Sequence, residues 1–118
     1  MIAVIFEVWP ADGRKPAYLD HAARLRHELE HMDGFISVER FQSLTDPDKL
    51  VSLSFWRDEA AVARCRDHMG HREAQTAGRG GIFRDYRLRV AAVVRDYGMI
   101  EREQAPTGSP SVHDARSR

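Results

Sequence analysis

Several features are scarce or missing in this sequence, and each absence excludes a class of structure or function. Cys65 is the only cysteine among 118 residues, which excludes an intramolecular disulfide and a zinc site built from several thiolates. The 18 basic side chains equal the 18 acidic ones, so the chain lacks the basic surplus that binding to nucleic acid or to an anionic membrane requires. No apolar run approaches the roughly 20 residues that span a bilayer, and no signal-peptide pattern opens the chain. These absences predict one cytoplasmic domain.

The hydrophobic pattern of the first half predicts strands around one helix. Residues 2–9 alternate with apolar side chains on both faces, as in a strand buried on two sides. Over residues 16–32 the apolar residues recur at helical spacing. That stripe consists of Tyr18, Ala22, Leu25, Leu29 and Met32. Residues 35–41 and 50–56 are predicted to be two strands joined by a hairpin turn.

The second half predicts another helix and a long strand. Asp58 is suited to cap a helix, which Gly70 is expected to interrupt before a short helical turn over residues 71–77. A strand over residues 83–97 would span more than about 40 Å. Since a small domain needs no strand of that length for itself, we expect it to pair with a partner chain.

The element order β-α-β-β-α-β is that of a ferredoxin-like α+β fold, with an antiparallel sheet covered by helices on one face. The other face has apolar candidates such as Ile5, Trp9 and Val93, and an apolar face of that size requires a cover. The sequence therefore predicts a homodimer. We place the domain at residues 1–99 and a flexible or partner-clasping tail at residues 100–118.

One carboxylate is predicted on the apolar sheet face. Glu7 points to the same side of its strand as Ile5 and Trp9. There it either pairs with an arginine, for which Arg40 and Arg95 are candidates, or has a raised pKa in an apolar setting.

Several segments of the sequence form motifs. They are MDGFISVERF over residues 32–41, LSFWRDE over residues 53–59, and HREAQ, GR and FRDYR between residues 71 and 87. Together these motifs resemble those of the antibiotic biosynthesis monooxygenase (ABM) family. The resemblance covers residues 1–99 and implies a dimeric α+β barrel, in which two sheets pack face to face and each subunit has a pocket between its helices and its sheet. Family members differ in chemistry, since some oxidise aromatic polyketides with O₂ and no cofactor while others degrade heme.

The resemblance implies a small-molecule monooxygenase that binds an aromatic or quinol-like substrate and uses no cofactor. Once deprotonated, such a substrate can react directly with O₂ if the protein supplies a base, an anion stabiliser and a dry pocket. His71 is the candidate base, and Arg87 or Arg72 is the candidate partner of the anion. The other candidates for contact with the substrate are Trp56, His68, Gln75, Phe83 and Tyr86.

Each of these candidates also has a purely structural interpretation. Trp56 is suited to anchor the junction of a strand and a helix by packing. Arg87 fits a solvated charge at a strand edge, and His68 and His71 fit polar residues beside a helix break. Cys65 falls on the apolar stripe of the second helix, which favours a buried, inert thiol.

Two other functions compete with the cofactor-free oxygenase. A heme-binding protein or heme-dependent enzyme would use His71, or else His68, as its axial ligand. Against heme degradation, the positions that match the Asn, Trp and ligating His of the heme-degrading branch hold Glu7, Cys65 and Gln75. A non-catalytic dimeric binding module is the third interpretation.

Residues 27–31 have the sequence HELEH, which matches the HExxH motif of zinc proteases. Metal binding would require His27 and His31 to face a closed cleft that also supplies a third ligand. At helical periodicity both histidines lie opposite the apolar stripe of their helix. The motif is therefore interpreted as part of a solvated helix face, with no metal.

Overall fold

In the residues that it describes, the computed structural model of the protein contains two helices and a four-stranded antiparallel sheet. It describes residues 1–76 and 81–106, and of residues 69–76 the backbone alone. The elements are β1 (Ile2–Pro10), α1 (Lys15–Leu29), β2 (Phe35–Gln42), β3 (Leu50–Trp56), α2 (Glu59–Thr76) and β4 (Phe83–Ala92). The strand order is β2-β3-β1-β4, which confirms the ferredoxin-like α+β fold. In the described part of the chain, no helix is long and apolar enough to cross a membrane.

The hydrophobic core lies between the helices and one face of the sheet. A cluster at one end contains Ile2, Leu29, Val38, Trp56 and Ala61. A second cluster, at the other end, contains Val8, Tyr18, Ala22 and Leu50. The stripe of α1 supplies residues to both clusters, as its spacing predicted, and each fully buried large side chain contributes about 1.5–3 kcal/mol.

Of two predictions about α2, the cap at its start is confirmed and the interruption inside it is wrong. The Asp58 carboxylate oxygen Oδ1 accepts a hydrogen bond from the backbone N–H of Ala61 at 2.9 Å, so Asp58 is the predicted cap. The helix then continues without a break to Thr76, and the predicted interruption at Gly70 is wrong. A glycine inside a helix costs only about 1 kcal/mol relative to alanine, which the remaining helical turns can offset.

β4 ends at Ala92 and not at residue 97, so the prediction of a very long strand is wrong. The reason lies in its neighbour β1, which begins at Ile2 and pairs that residue with Ala92. One further bond, from the N–H of Val93 to the carbonyl of Met1 at 3.0 Å, ends the ladder.

The sheet face opposite the helices is open and contains both apolar and charged side chains. Glu7 on this face forms an ion pair with Lys49 at 2.9 Å and accepts a hydrogen bond from Arg89 at 2.8 Å. Hydrogen bonds from Lys49 and then Arg89 hold the pKa of Glu7 below its ordinary value. The predicted partners Arg40 and Arg95, and the predicted raised pKa, are therefore wrong. Arg40 lies on the helix side of the sheet, and Arg95 lies beyond the end of β4.

Candidate functional site

An apolar strip of β4 lies on the helix side of the sheet without being covered by the helices. Tyr86, Leu88 and Val90 point to this side, and their side chains are 56%, 51% and 48% exposed. Phe6 of β1 is paired with Leu88 and is itself only partly buried. We call the surface formed by these four side chains the β4 groove. Exposed apolar surface beside a packed core is typical of a ligand or partner site.

Aromatic rings line one end of the β4 groove. The ring centroids of Phe6 and Tyr86 are 5.5 Å apart, and Phe83 lies 6.0 Å from Phe6 and 6.1 Å from Tyr86. The ring of buried Tyr18, from α1, is 5.9 Å from Phe83. Tilted and edge-on contacts of this kind contribute about 0.5–1.5 kcal/mol each beyond the area they bury. This end of the groove is therefore suited to hold a flat, apolar molecule.

The phenol of Tyr18 lies beside the guanidinium of Arg40. Burial raises the pKa of Tyr18, because it disfavours the phenolate, while the charge of Arg40 opposes that shift. Arg40 pairs across the sheet with Ser52, which in turn pairs with Phe6. A single row of side chains thus joins Arg40 to the β4 groove. Arg40 was predicted from the sequence only as a partner of Glu7, although strand alternation from buried Val38 places it on the helix side.

The structure brings together only some of the predicted substrate contacts. Phe83 and Tyr86 are neighbours in the aromatic cluster. Trp56 is 1% exposed and donates its Nε1–H to Ser54 Oγ at 2.9 Å, so it packs in the core and does not line the groove. Arg87 alternates with Tyr86 along β4 and therefore lies on the open face, level with Glu7.

The remaining predicted candidates are on α2. The Nε2 atom of His68 lies 3.6 Å from a carboxylate oxygen of Glu28, so this pair joins α2 to α1. His71, Arg72 and Gln75 belong to α2 by their backbone, but their side chains lie outside the described residues.

Metal and thiol chemistry have no support among the described residues. His27 and His31 are exposed, as helical periodicity predicted. Among the side chains that the structure describes, those of residues 1–68 and 81–106, no group of three or more His, Cys, Asp or Glu is placed to hold a metal ion. Burial raises the pKa of Cys65 to about 11, so its sulfur is a thiol at neutral pH and not a nucleophilic thiolate.

Comparison with known proteins shows which family this chain is similar to. The family model described as antibiotic biosynthesis monooxygenase matches residues 1–77. A curated protein of Pyricularia oryzae, "Jasmonate monooxygenase ABM", is 47% identical over 93 residues. That alignment covers 79% of this chain and 43% of the relative, so the chain spans less than half the length of the relative it matches.

Solved structures share the fold at much lower identity. The heme-degrader MhuD of Mycobacterium tuberculosis, solved with two hemes in its active site, has a TM-score of 0.63 at 19% identity, covering 83% of this chain and all of its own. SnoaB, a cofactor-independent oxygenase of Streptomyces nogalater, has a TM-score of 0.64 at 15% identity, covering 80% of this chain and 95% of its own. With the family model matching most of its residues, this chain belongs to the antibiotic biosynthesis monooxygenase family.

Proposed function

We propose that this chain binds a small, largely apolar molecule in the β4 groove and catalyses its oxidation by O₂. The observation that carries the proposal is the exposed strip of Tyr86, Leu88 and Val90, which leaves apolar surface open on the helix side of the sheet. Membership of the family, and a relative named a monooxygenase at 47% identity, support an oxygenase in preference to a binding module without catalysis.

An aromatic substrate with an acidic C–H bond can supply every electron that the reaction needs. A methylene group flanked by activating rings loses two hydrogens and becomes a carbonyl, one atom of O₂ enters that carbonyl, and the other leaves as water. Deprotonation starts the reaction, because the resulting carbanion can pass an electron to O₂. The protein then needs a base, a partner for the anion and a site that excludes water.

The residues proposed for these tasks lie around the β4 groove and on α2. His71 is the proposed base and Arg72 the proposed partner of the anion. Phe83 and Tyr86 are the proposed walls for a flat substrate, and their ring separation of 6.1 Å supports that role. Arg87 is not retained in this proposal, because it lies on the opposite face of the sheet from Tyr86.

Oxygen-isotope labelling tests the reaction. Purified protein is incubated under ¹⁸O₂ with anthrone, whose activated methylene supplies the electrons, and, following the name of the relative, with jasmonic acid plus NADPH as the two-electron donor that its hydroxylation requires. We expect one ¹⁸O atom in the product of at least one compound, and a rate lowered at least tenfold by Leu88→Ser. The matched control is Leu44→Ser, because Leu44 is 100% exposed on the β2–β3 hairpin. Absence of ¹⁸O from every product overturns the proposal.

Heme binding is the second candidate, supported by the fold shared with MhuD. On this chain His71 would be the axial ligand, since His68 is already paired with Glu28. Titration with hemin separates the two functions. A Soret band that shifts on binding to wild type and to His68→Ala, but is lost with His71→Ala, supports heme ligation. Hemin spectra identical for wild type and His71→Ala exclude that role.

We further propose that the open face of the sheet packs against the same face of a second copy. Its apolar side chains are only half-buried or are exposed in the single chain. They include Ile5, Phe41, Val51, Leu53 and Phe55. Such a surface is larger than the isolated apolar side chains that monomers expose, and self-association would remove it from water.

Light scattering coupled to gel filtration tests the dimer. Wild type at micromolar concentration is expected to elute with twice the mass of one chain, and Leu53→Glu with the mass of one. Leu44→Glu introduces the same charge at a fully exposed position away from that face, so it should leave the dimer intact. Monomeric wild type would contradict the proposal.

A further inference from the structure

Among the residues that the structure describes, two guanidinium groups have a buried nitrogen with no hydrogen-bond partner. They are the Nε atoms of Arg14, which immediately precedes α1, and of Arg40 on β2. A buried donor left unpaired costs about 1–3 kcal/mol, and more when the group is charged. In the part of the chain that the structure describes, neither guanidinium forms an ion pair with a carboxylate.

Arg40 is connected to the β4 groove by its place in the sheet. The cross-strand register aligns Arg40 with Ser52, Ser52 with Phe6, and Phe6 with Leu88. Neighbouring strands are about 4.8 Å apart, so the row spans about 14 Å from the backbone of Arg40 to that of Leu88. One end of the row is cationic and the other is exposed and apolar.

The surroundings of Arg40 suit an anion. The hydroxyl of buried Tyr18 lies beside its guanidinium, and Ser52 places a second hydroxyl next to it in the row. Lys15 lies on the same side, where its Nζ donates to Gln42 two residues along β2 at 2.8 Å. Arg40 as a whole is only half-buried, and a guanidinium forms strong, charge-assisted hydrogen bonds to a carboxylate.

We propose that Arg40 binds the carboxylate of the ligand, a group separate from the carbanion assigned to Arg72, and that the ligand is an amphipathic carboxylic acid. Its apolar body lies on Phe6 and Leu88, and its carboxylate accepts hydrogen bonds from the guanidinium of Arg40. The inference rests on the proposed function to the extent that the same groove holds the substrate. It adds the chemical class of that substrate and a residue that selects it.

Calorimetric binding of matched acids and esters tests the inference. The probes are 2-naphthoic acid with its methyl ester and jasmonic acid with its methyl ester, titrated at neutral pH without turnover. Wild type should bind at least one acid tenfold or more tightly than its ester. Arg40→Gln should lose at least tenfold in affinity for the acid and leave the affinity for the ester unchanged. Arg24→Gln is the matched control, because Arg24 is exposed on α1.

The possible outcomes separate this inference from the proposed function. Equal binding of acid and ester by wild type, unchanged acid binding by Arg40→Gln, or no binding of any probe overturns the role of Arg40. If circular dichroism shows that Arg40→Gln is unfolded, the ratio of acid to ester affinity in wild type decides. Selective acid binding without ¹⁸O incorporation would refute the oxygenase and retain the carboxylate site, while oxidation of neutral substrates without acid preference would do the reverse.

Discussion

Gly34 leaves space that the side chain of Ala61 occupies, at the point where the loop after α1 meets the first turn of α2. A Cβ atom at position 34 would lie 2.5 Å from the Cβ of Ala61, well inside van der Waals contact. The φ angle of Gly34 is +87°, in a region that other residues rarely adopt. Two independent requirements therefore favour glycine at this position.

Gly34→Ala is expected to destabilise the protein more than Gly13→Ala. Gly13 also has a positive φ, of 73°, but nothing lies within 4 Å of the Cβ it would gain. Gly13→Ala should therefore cost only the backbone strain, about 1–2 kcal/mol. Gly34→Ala should cost about 1–3 kcal/mol more, because the added methyl group overpacks the contact with Ala61. Urea unfolding of both variants measures the difference, and equal losses would contradict the steric explanation.

The interactions of Glu7 with Lys49 and Arg89 should make the free energy of unfolding depend on pH in acidic solution. The pKa of Glu7 is lowered in the folded chain by its bonds to Lys49 and Arg89, so folding favours the ionised form. Its contribution is fully present above the ordinary value of 4.5 and is lost as the pH falls through the lower folded pKa. Glu7→Gln should flatten this part of the profile. Denaturant unfolding between pH 3 and 7 measures the slope, with Glu59→Gln, at an exposed residue, as control.

Truncating the side chain of Leu88 in the β4 groove should reduce ligand affinity with little loss of stability. Leu88 is 51% exposed in the single chain, so Leu88→Ser removes few core contacts and should change the unfolding free energy by less than about 1 kcal/mol. The affinity for the tightest-binding probe should fall at least fivefold, because the apolar body of that probe loses its contact with the Leu88 side chain. Calorimetry and urea unfolding on the same preparation measure both effects. A variant that unfolds easily would show that Leu88 is a core residue instead.

Cys65 should react slowly with alkylating reagents in the native protein. Burial raises its pKa to about 11, so only a small fraction is thiolate at pH 8. Iodoacetamide labelling followed by mass spectrometry should be at least tenfold slower than in urea-unfolded protein. Comparable rates in the two states would mean that the thiol is accessible and ionised.

Periodicity was sufficient to derive the fold from the sequence. The stripe from Tyr18 to Leu29 and the boundaries of β3 follow from local spacing, because the apolar residues of a helix or a strand recur at intervals of only a few residues. The end of β4 does not follow in this way. It depends on where β1 begins, and that is a property of the pairing and not of the β4 sequence.

The candidate site was less accessible to sequence reasoning. Alternation already separates Tyr86 from Arg87, so their joint assignment to one pocket could have been rejected without a structure. For Arg40, alternation from Val38 gives only the face of the sheet and not its neighbours on that face. Its proximity to Tyr18 arises from α1 crossing the sheet, which spacing along one segment does not encode.

The position of β4 at the edge of the sheet has a consequence for how the protein behaves in concentrated solution. An edge strand exposes backbone groups that can recruit a strand from another molecule and so begin a fibrillar aggregate. Along this strand the exposed residues include Arg89, whose charge is paired with that of Glu7, and two further arginines, Arg84 and Arg87. Like charges repel a second copy of the same edge, so these arginines favour solubility even though the strand also presents apolar side chains to a ligand.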